Sequence, residues 1–176
     1  LGGYLTQNFG GSFTALVDAA EASADKLIRF LIQMPYFKDV HRYGRLEVPF
    51  YKRAQLTAAD LSLAFRERGF GRFEDLNRLT IFADNLVPPV LRMDRVLPYH
   101  DHLAQRVGAA ELIPAGSPEE IEIRGCAVHA VECIKREMQR SGHRVTSREL
   151  DHLLWNRGQQ PFYKAVPRHR TRTVYY

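Results

Sequence analysis

The chain has 176 residues, and its 45% hydrophobic and 26% charged residues are typical of a globular protein. Ten Phe and eight Tyr residues supply enough apolar surface for a core, which excludes a chain that is disordered throughout. Charged residues interrupt every apolar run well short of the roughly 20 residues that a membrane-spanning helix needs. The length suits a single domain over residues 1–176.

The two cysteines, Cys126 and Cys133, lie seven positions apart in a predicted helix, roughly 10 Å from each other along its axis. A disulfide needs Cα atoms within roughly 7 Å, so we expect two free thiols. Free thiols are typical of a reducing compartment, and no basic segment followed by an apolar one opens the sequence, so we expect a cytoplasmic protein. Because the sequence starts at Leu1 and not at Met, we interpret it as part of a longer chain.

The net charge of +5 comes from the C-terminal part of the chain. Ten Lys or Arg and three Asp or Glu residues lie between Lys135 and Tyr176, whereas acids outnumber bases before Lys135. Most of the basic residues are Arg, whose planar guanidinium suits bidentate contacts with phosphate. This local excess indicates a phosphate-bearing partner. The alternative is a basic surface that serves only solubility.

The spacing of apolar residues predicts an all-α or mainly α protein. Apolar side chains recur three and four positions apart in several segments, which is the pattern of a helix with one buried face. In chain order, helices are predicted over residues 15–33, 51–68, 118–140 and 147–157. The polar segment 37–50 is predicted to be a connection, and the apolar segment 73–82 is too short to assign.

Capping residues mark the ends of these helices. Ser12 or Thr14 is expected to cap the first helix, and Pro35 to end it. Ser117 and Thr146 are each followed three positions later by a glutamate, which predicts two capping boxes.

The first candidate for chemistry is Asp84, which follows the run Thr80-Ile81-Phe82-Ala83 and precedes the pair Pro88-Pro89. A carboxylate that is rigidly held and partly desolvated suits a general base, or a group that stabilises a developing cation. The alternative is a helix cap, for which Asp is among the best residues. On the residues alone the cap is favoured.

Tyr51 and Lys52 are the second candidates, at the start of a predicted helix. A lysine there can bind a phosphate together with the free backbone N–H groups of the first turn. The alternative is a core Phe50 followed by a solvated Lys52 and Arg53.

The tail and the single Trp offer further binding groups. In an extended segment Arg168, Arg170 and Arg172 share one side, which suits phosphate or RNA. The alternative is a frayed basic terminus. Trp155 can stack on a base, although a Trp beside Leu154 on a helix is more often part of a core.

Metal binding has little support in the sequence. His100 and His102 form a candidate pair, but the two cysteines lack zinc spacing. The sequence also lacks a Walker loop, a dinucleotide glycine motif and the familiar nucleophile motifs. We expect no metal.

Five segments together resemble one family, the queuosine salvage proteins. They are Phe50-Tyr51-Lys52-Arg53-Ala54-Gln55, Thr80-Ile81-Phe82-Ala83-Asp84, Glu122-Ile123-Arg124-Gly125-Cys126, Leu153-Leu154-Trp155, and His169-Arg170-Thr171-Arg172 with Tyr175-Tyr176. They occur in the family's order and at similar spacing, from about residue 12 to the end. The family's chains are longer, so this sequence resembles their C-terminal part.

The resemblance implies an enzyme that hydrolyses the N-glycosidic bond of queuosine 5′-monophosphate and releases queuine for transfer RNA modification. It implies a fold similar to that of helix-hairpin-helix DNA glycosylases, with no metal or organic cofactor. The partner would be the small nucleotide substrate, without membrane association or direct binding of nucleic acid. Asp84 matches the family's active-site Asp, and Lys52 a substrate-contacting Lys. Trp155, His169 and Arg170 match further substrate-contacting positions.

The residues suit this chemistry. Breaking the N-glycosidic bond builds positive charge on the ribose, which a fixed Asp84 carboxylate can stabilise while it orients or deprotonates a water. Lys52 and the tail arginines can hold the 5′-phosphate. Tyr51 or Trp155 can offer an aromatic face to the flat deazapurine.

Two positions depart from the family pattern. Asn156 stands where an acid is expected, and Arg168 where an aromatic residue is expected, so the contacts at these positions stay open. A different class of function also fits the charge, namely a non-catalytic helical module that binds RNA through the basic C-terminal third. Such a module would bind more weakly as salt rises, whereas an enzyme for a mononucleotide would need Asp84 and would barely bind polymer.

Overall fold

The computed structural model describes residues 2–176, and helices hold 57% of this part of the chain. The α-helices are α1 (Gly2–Phe9), α2 (Phe13–Ala19), α3 (Ala24–Leu31), α4 (Lys52–Ala64), α5 (Val87–Met93), α6 (Asp101–Gly108), α7 (Pro118–Arg140), α8 (Ser147–Gly158) and α9 (Pro161–Lys164). Single 3₁₀ turns lie at Pro35–Phe37, Gly69–Gly71 and Leu76–Arg78. The prediction of a mainly α protein is confirmed. Within residues 2–176, no helix combines the length and the apolar character needed to cross a membrane.

The chain divides into two compact units. The first holds residues 2–40 and 49–82 together with Tyr175, and it contains α1 to α4. The second holds residues 41–48 and 83–174 together with Tyr176, and it contains α5 to α9. A single domain with a helix-hairpin-helix arrangement stays a prediction.

The predicted long helix near the start of the chain is wrong, because the segment forms α2 and α3 instead. Between them Glu21 and Ala22 have left-handed φ angles of 51° and 59°. The side chain of Ser23 begins α3, and the carboxylate of Asp75 accepts the N–H of Ala24 at 2.6 Å. A carboxylate 51 residues away therefore satisfies N–H groups that a continuous helix would bond internally. This contact cannot be predicted from the spacing of apolar residues.

The core of the first unit is built from apolar residues of its helices and the segments between them. Its fully buried members are Leu16, Ala20, Ala24, Leu27, Met34, Ala54 and Ala58. Two of the alanines are on α4, and their small side chains let α3 and α4 pack closely. The predicted cap Ser12 is confirmed, since its hydroxyl accepts the N–H of Ala15 at 3.2 Å.

The segment predicted to be a connection forms a hairpin of β1 (Val40–Tyr43) and β2 (Leu46–Pro49). The two-residue turn between the strands contains Gly44 with a φ of 59°, a conformation that glycine adopts without strain. Every strand residue is exposed or only half-buried. The strands therefore lack the alternation of polar and apolar residues from which a strand is predicted.

In the second unit α7 and α8 begin where their caps predict. The hydroxyl of Ser117 accepts the N–H of Glu120, but the Glu120 carboxylate accepts the N–H of Gly116 at 3.1 Å and so does not close a capping box. The box of Thr146 and Glu149 is complete and confirms that prediction.

Candidate active site

Asp84 lies just before α5 and directly after three buried residues, Ile81, Phe82 and Ala83. Its Oδ1 accepts the backbone N–H of Leu86 at 2.7 Å and that of Val87 at 3.3 Å. Asp84 therefore contacts the start of α5, but the N-cap residue of that helix is Leu86, so the interpretation of Asp84 itself as the N-cap is wrong. Its Oδ2 has no hydrogen bond from any residue in the described chain, and the side chain is half-buried. One carboxylate oxygen is thus fixed by the backbone while the other is available.

The residue before Asp84 is held by a buried charged group. The carbonyl of Ala83 accepts a hydrogen bond of 3.0 Å from Nε of Arg124 in α7. Arg124 is completely buried and forms an ion pair of 3.1 Å with Glu120, one helical turn earlier. Glu120 also accepts a 2.9 Å hydrogen bond from the hydroxyl of Tyr176, whose ring centre lies 4.8 Å from the Arg124 guanidinium carbon. We call Glu120, Arg124 and Tyr176 the buried triad.

Several interactions stabilise the charges of the buried triad. An isolated buried charge is costly, and a pair is tolerated when further hydrogen bonds satisfy both partners. The Ala83 carbonyl and the Tyr176 hydroxyl supply such bonds, and the Tyr176 ring adds a cation–π contact. Burial, with the Glu120 carboxylate, raises the pKa of the Tyr176 hydroxyl, which keeps it a donor.

His169 extends this network. Its Nε2 lies 3.3 Å from the Tyr176 hydroxyl, and only 1% of the residue is exposed. Burial, and to a smaller degree the positive charge of Arg124, lowers the pKa of His169 to about 4, so the ring is neutral at pH 7. Its buried Nδ1 has no hydrogen-bond partner among residues 2–176.

The segment that carries Arg170 is not a frayed terminus. The carbonyl of Arg170 accepts the N–H of Ile113 at 2.8 Å, and its guanidinium donates to the carbonyl of Ala110 at 3.1 Å. His169 and Thr171 point inward between the more exposed arginines, as expected for an extended segment. The interpretation as a frayed tail is therefore wrong.

Trp155 lies on α8 and is 44% exposed. Leu150 and Leu154 lie on the buried face of this helix, and Trp155 does not share that face. The core interpretation of Trp155 is wrong, and part of its ring is open to a partner.

Tyr51 and Lys52 lie in the first unit, at the start of α4. Tyr51 has a left-handed backbone (φ 49°, ψ 34°), which is uncommon for a bulky residue. The buried Asp39 holds it there, because its carbonyl accepts the N–H of Tyr51 and its carboxylate that of Lys52. The ammonium of Lys52 forms no ion pair within the described chain, and Phe50 is a core residue as the alternative predicted.

The predicted site residues therefore fall into two sets. Asp84, Trp155, His169 and Arg170 belong to the second unit, and Tyr51 and Lys52 to the first. Within the second unit, the buried triad connects His169 to the backbone beside Asp84.

Sequence patterns alone assign no role to the buried triad. The available signal was the spacing of Glu120 and Arg124, four positions apart on the same helical face as the buried Ala127 and Val131. Charged residues on a buried face point to a pair with a specific task.

The candidate metal ligands gain no support. His102 lies 3.8 Å from Glu119, but no group of three or more His, Cys, Asp or Glu side chains within residues 2–176 is placed to hold a metal ion. Cys126 and Cys133 are both free thiols, as predicted.

These features define a mainly α-helical protein that presents a carboxylate at the start of a helix, backed by a buried ion pair. Its sequence matches the profile described as queuosine salvage protein over residues 1–176. The chain belongs to the queuosine salvage protein family.

Curated relatives agree with this assignment. A Sphaerobacter thermophilus protein named queuosine 5′-phosphate N-glycosylase/hydrolase is 42% identical over 99% of this chain and 54% of its own length. Proteins with the same name are 35% identical in Dictyostelium discoideum, over 100% of this chain and 55% of the relative, and 34% identical in Bos taurus, over 99% and 54%. The chain spans about half the length of the curated relatives it matches.

Proposed function

We propose that this chain provides the catalytic carboxylate of an enzyme that hydrolyses the N-glycosidic bond of queuosine 5′-monophosphate and releases queuine for transfer RNA modification. The names of the relatives support this reaction. The observation that carries it is the Asp84 carboxylate, of which Oδ1 is fixed by two backbone N–H groups and Oδ2 is unbonded within residues 2–176.

Asp84 has the properties that the reaction requires. As the bond between ribose and base breaks, the ribose acquires the character of an oxocarbenium ion. A carboxylate that is already oriented stabilises this charge without reorganising during the reaction. Oδ2 can also orient the attacking water and take its proton as the new C–O bond forms and the C–N bond breaks. In the balanced reaction the hydroxyl group of the water stays on the ribose and one proton ends on the nitrogen of the released base.

Lys52 and Arg170 are the proposed partners of the 5′-phosphate. Lys52 forms no ion pair in the described chain, although its charge acts on the Asp60 carboxyl, so its ammonium keeps its donors for a phosphate. Arg170 uses one nitrogen for the Ala110 carbonyl and keeps further donors. Binding the phosphate away from the reacting bond supplies energy for positioning that bond.

Tyr51, Trp155 and His169 are the proposed partners of the remaining part of the nucleotide. The left-handed backbone of Tyr51 is a local strain of the kind that is concentrated at functional sites. Trp155 exposes part of its ring for stacking. The Nδ1 of His169 is a buried polar atom without a partner among the described residues, which a substrate hydrogen bond would satisfy.

We further propose that the protein acts in the cytoplasm, on a free nucleotide and without binding transfer RNA or a membrane. The two free thiols fit a reducing compartment. Part of the C-terminal basic charge is already paired, since Lys135, Arg140 and Arg157 form ion pairs with acids.

The test is to incubate the purified chain with queuosine 5′-monophosphate and to measure free queuine by chromatography. We expect release by the unsubstituted chain and by Asp18→Asn, an exposed acid-to-amide control, but not by Asp84→Asn. Full activity of Asp84→Asn would overturn the role of Asp84. Absence of release from every variant, together with transfer RNA binding that weakens steeply with salt, would favour the RNA-binding module instead.

A further inference from the structure

We propose that Arg124 is a positioning residue for the reaction at Asp84, an inference that rests on the proposed function. The buried triad holds the Ala83 carbonyl, and this contact sets the direction in which the Asp84 carboxylate points.

The covalent geometry connects the two residues directly. The Ala83 carbonyl and the Asp84 N–H belong to one planar peptide group. A donor that fixes the carbonyl therefore also fixes the orientation of the peptide plane that precedes the Asp84 Cα atom. On the other side, Oδ1 of Asp84 is bound by the N–H groups of Leu86 and Val87. The residue is therefore held both through the preceding peptide and through its own side chain, and Oδ2 is left with a defined direction.

The choice of a charged group at this place supports a geometric role. A buried ion pair contributes little net stability compared with well-packed apolar residues. The guanidinium of Arg124, however, presents several donors in one rigid plane, so it binds the Ala83 carbonyl through Nε and Glu120 through Nη1 at the same time. The ring of Tyr176 lies against that plane, and its hydroxyl fixes the Glu120 carboxylate.

The second unit contains a comparable cluster that serves as a control. Arg157 pairs with Asp94 at 2.9 Å, Tyr163 donates to the same carboxylate oxygen at 2.7 Å, and the Arg157 guanidinium carbon lies 5.0 Å from the Tyr163 ring centre. This cluster has the same types of residue as the buried triad, but its ion pair is partly exposed and it makes no hydrogen bond to the Ala83–Asp84 backbone. Changes in it show what the loss of an Arg–acid–Tyr cluster elsewhere in the same unit does to exchange and to kinetics.

The experiment compares Arg124→Lys and Tyr176→Phe with the matched variants Arg157→Lys and Tyr163→Phe. Lysine keeps the charge but loses the planar fork, and phenylalanine keeps the ring over Arg124 but loses the hydroxyl. The first measurement is amide hydrogen exchange at Leu86 and Val87 in the chain without substrate, with Leu154 of α8 reporting general loosening. The second is kcat and KM for queuosine 5′-monophosphate.

We expect exchange at Leu86 and Val87 to accelerate about tenfold or more relative to Leu154 in Arg124→Lys, because the Asp84 carboxylate loses its fixed place. We expect kcat to fall about 10- to 100-fold with KM nearly unchanged, since transition-state contacts are lost and ground-state binding is not. Tyr176→Phe should show the same pattern more weakly, and the two control variants should show neither effect.

Unchanged exchange at Leu86 and Val87 in both Arg124→Lys and Tyr176→Phe would overturn the inference, as would a rise in KM with kcat preserved. If Arg124→Lys does not fold, Tyr176→Phe decides the matter alone. Absence of queuine release from the unsubstituted chain would be a failure of the proposed function. The exchange measurement would still show whether Arg124 fixes Asp84.

Discussion

Oδ1 of Asp84 accepts the backbone N–H of Leu86 at 2.7 Å, and this contact joins two interpretations that the sequence presents as alternatives. The carboxylate accepts N–H groups at the start of α5, although Leu86 and not Asp84 is the N-cap residue, and the same contacts fix the direction of the carboxylate. Oδ2 accepts no hydrogen bond from the described residues, so the contact with the helix start leaves this oxygen available for the proposed reaction.

The two roles of Asp84 are separable by substitution. Asparagine retains an oxygen in the place of Oδ1, so the free energy of unfolding of Asp84→Asn should lie within about 0.5 kcal/mol of that of the unsubstituted chain. Asp84→Ala loses the hydrogen bonds to Leu86 and Val87 and should be about 1 kcal/mol less stable. Both variants should lose hydrolysis, because neither has a carboxylate. Urea denaturation followed by circular dichroism measures the free energy of unfolding. Equal destabilisation by Asn and Ala would contradict this division.

Lys52 should act on the phosphate and not on the base. Lys52→Gln is expected to raise KM for queuosine 5′-monophosphate about 10- to 100-fold, because a charge-assisted hydrogen bond is worth about 1.5–3 kcal/mol. Hydrolysis of the nucleoside without its phosphate should be unaffected by the same change. Arg53→Gln, which removes the neighbouring exposed cation, is the matched control. Equal effects on nucleotide and nucleoside would remove Lys52 from the phosphate site.

His169 should make the stability of the protein depend on pH. Its pKa is about 4 in the folded chain and 6.5 when unperturbed, so the unfolded chain binds more protons between these values. The free energy of unfolding is therefore highest above pH 6.5, and it falls by about 3 kcal/mol in total as the pH falls towards 4.

Urea denaturation at several pH values measures this effect. His169→Phe should flatten the decline of unfolding free energy between pH 6.5 and 4, whereas His152→Gln, at an exposed histidine, should not. A decline of equal slope in His169→Phe would show that other groups cause the acid sensitivity.

Asp75 should stabilise the first unit through the start of α3. Its carboxylate accepts the N–H groups of Ala24 and Asp25 and the hydroxyl of Ser23, at 2.6, 3.2 and 2.9 Å. Asp75→Ala should cost about 2 kcal/mol, because three part-buried donors lose their acceptor. Asp18→Ala, at an exposed acid, is the control and should cost little.

The contribution of Asp75 should also depend on pH. Burial alone would raise its pKa, but the hydrogen bonds from Ala24, Asp25 and Ser23 outweigh burial and lower the pKa below 3.8. The stabilisation is therefore present above pH 3.8 and is lost as the pH falls through the lower, folded value. Thermal unfolding should show the gap between Asp75→Ala and the unsubstituted chain closing in strong acid. A gap that persists there would contradict the role of the charged carboxylate.

Much of the helical framework and the family could be predicted from the sequence. Capping residues placed the starts of α7 and α8 because a cap acts on N–H groups within three residues of itself. The motifs around Lys52 and Asp84 pointed to the queuosine salvage family for a similar reason, since chemical groups in short segments are read directly from the sequence.

The tertiary structure decided what depends on residues far apart in the chain. Asp75 divides a helix 51 positions away, and Arg124 bonds a carbonyl 41 positions away. Neither contact leaves a mark on local spacing, because a hydrogen-bond partner is chosen by proximity in the folded chain. Residue types and local signals therefore determined the family, most of the longer helices and the candidate acid. Only the fold determined that this acid is held by backbone N–H groups and stands beside a buried ion pair.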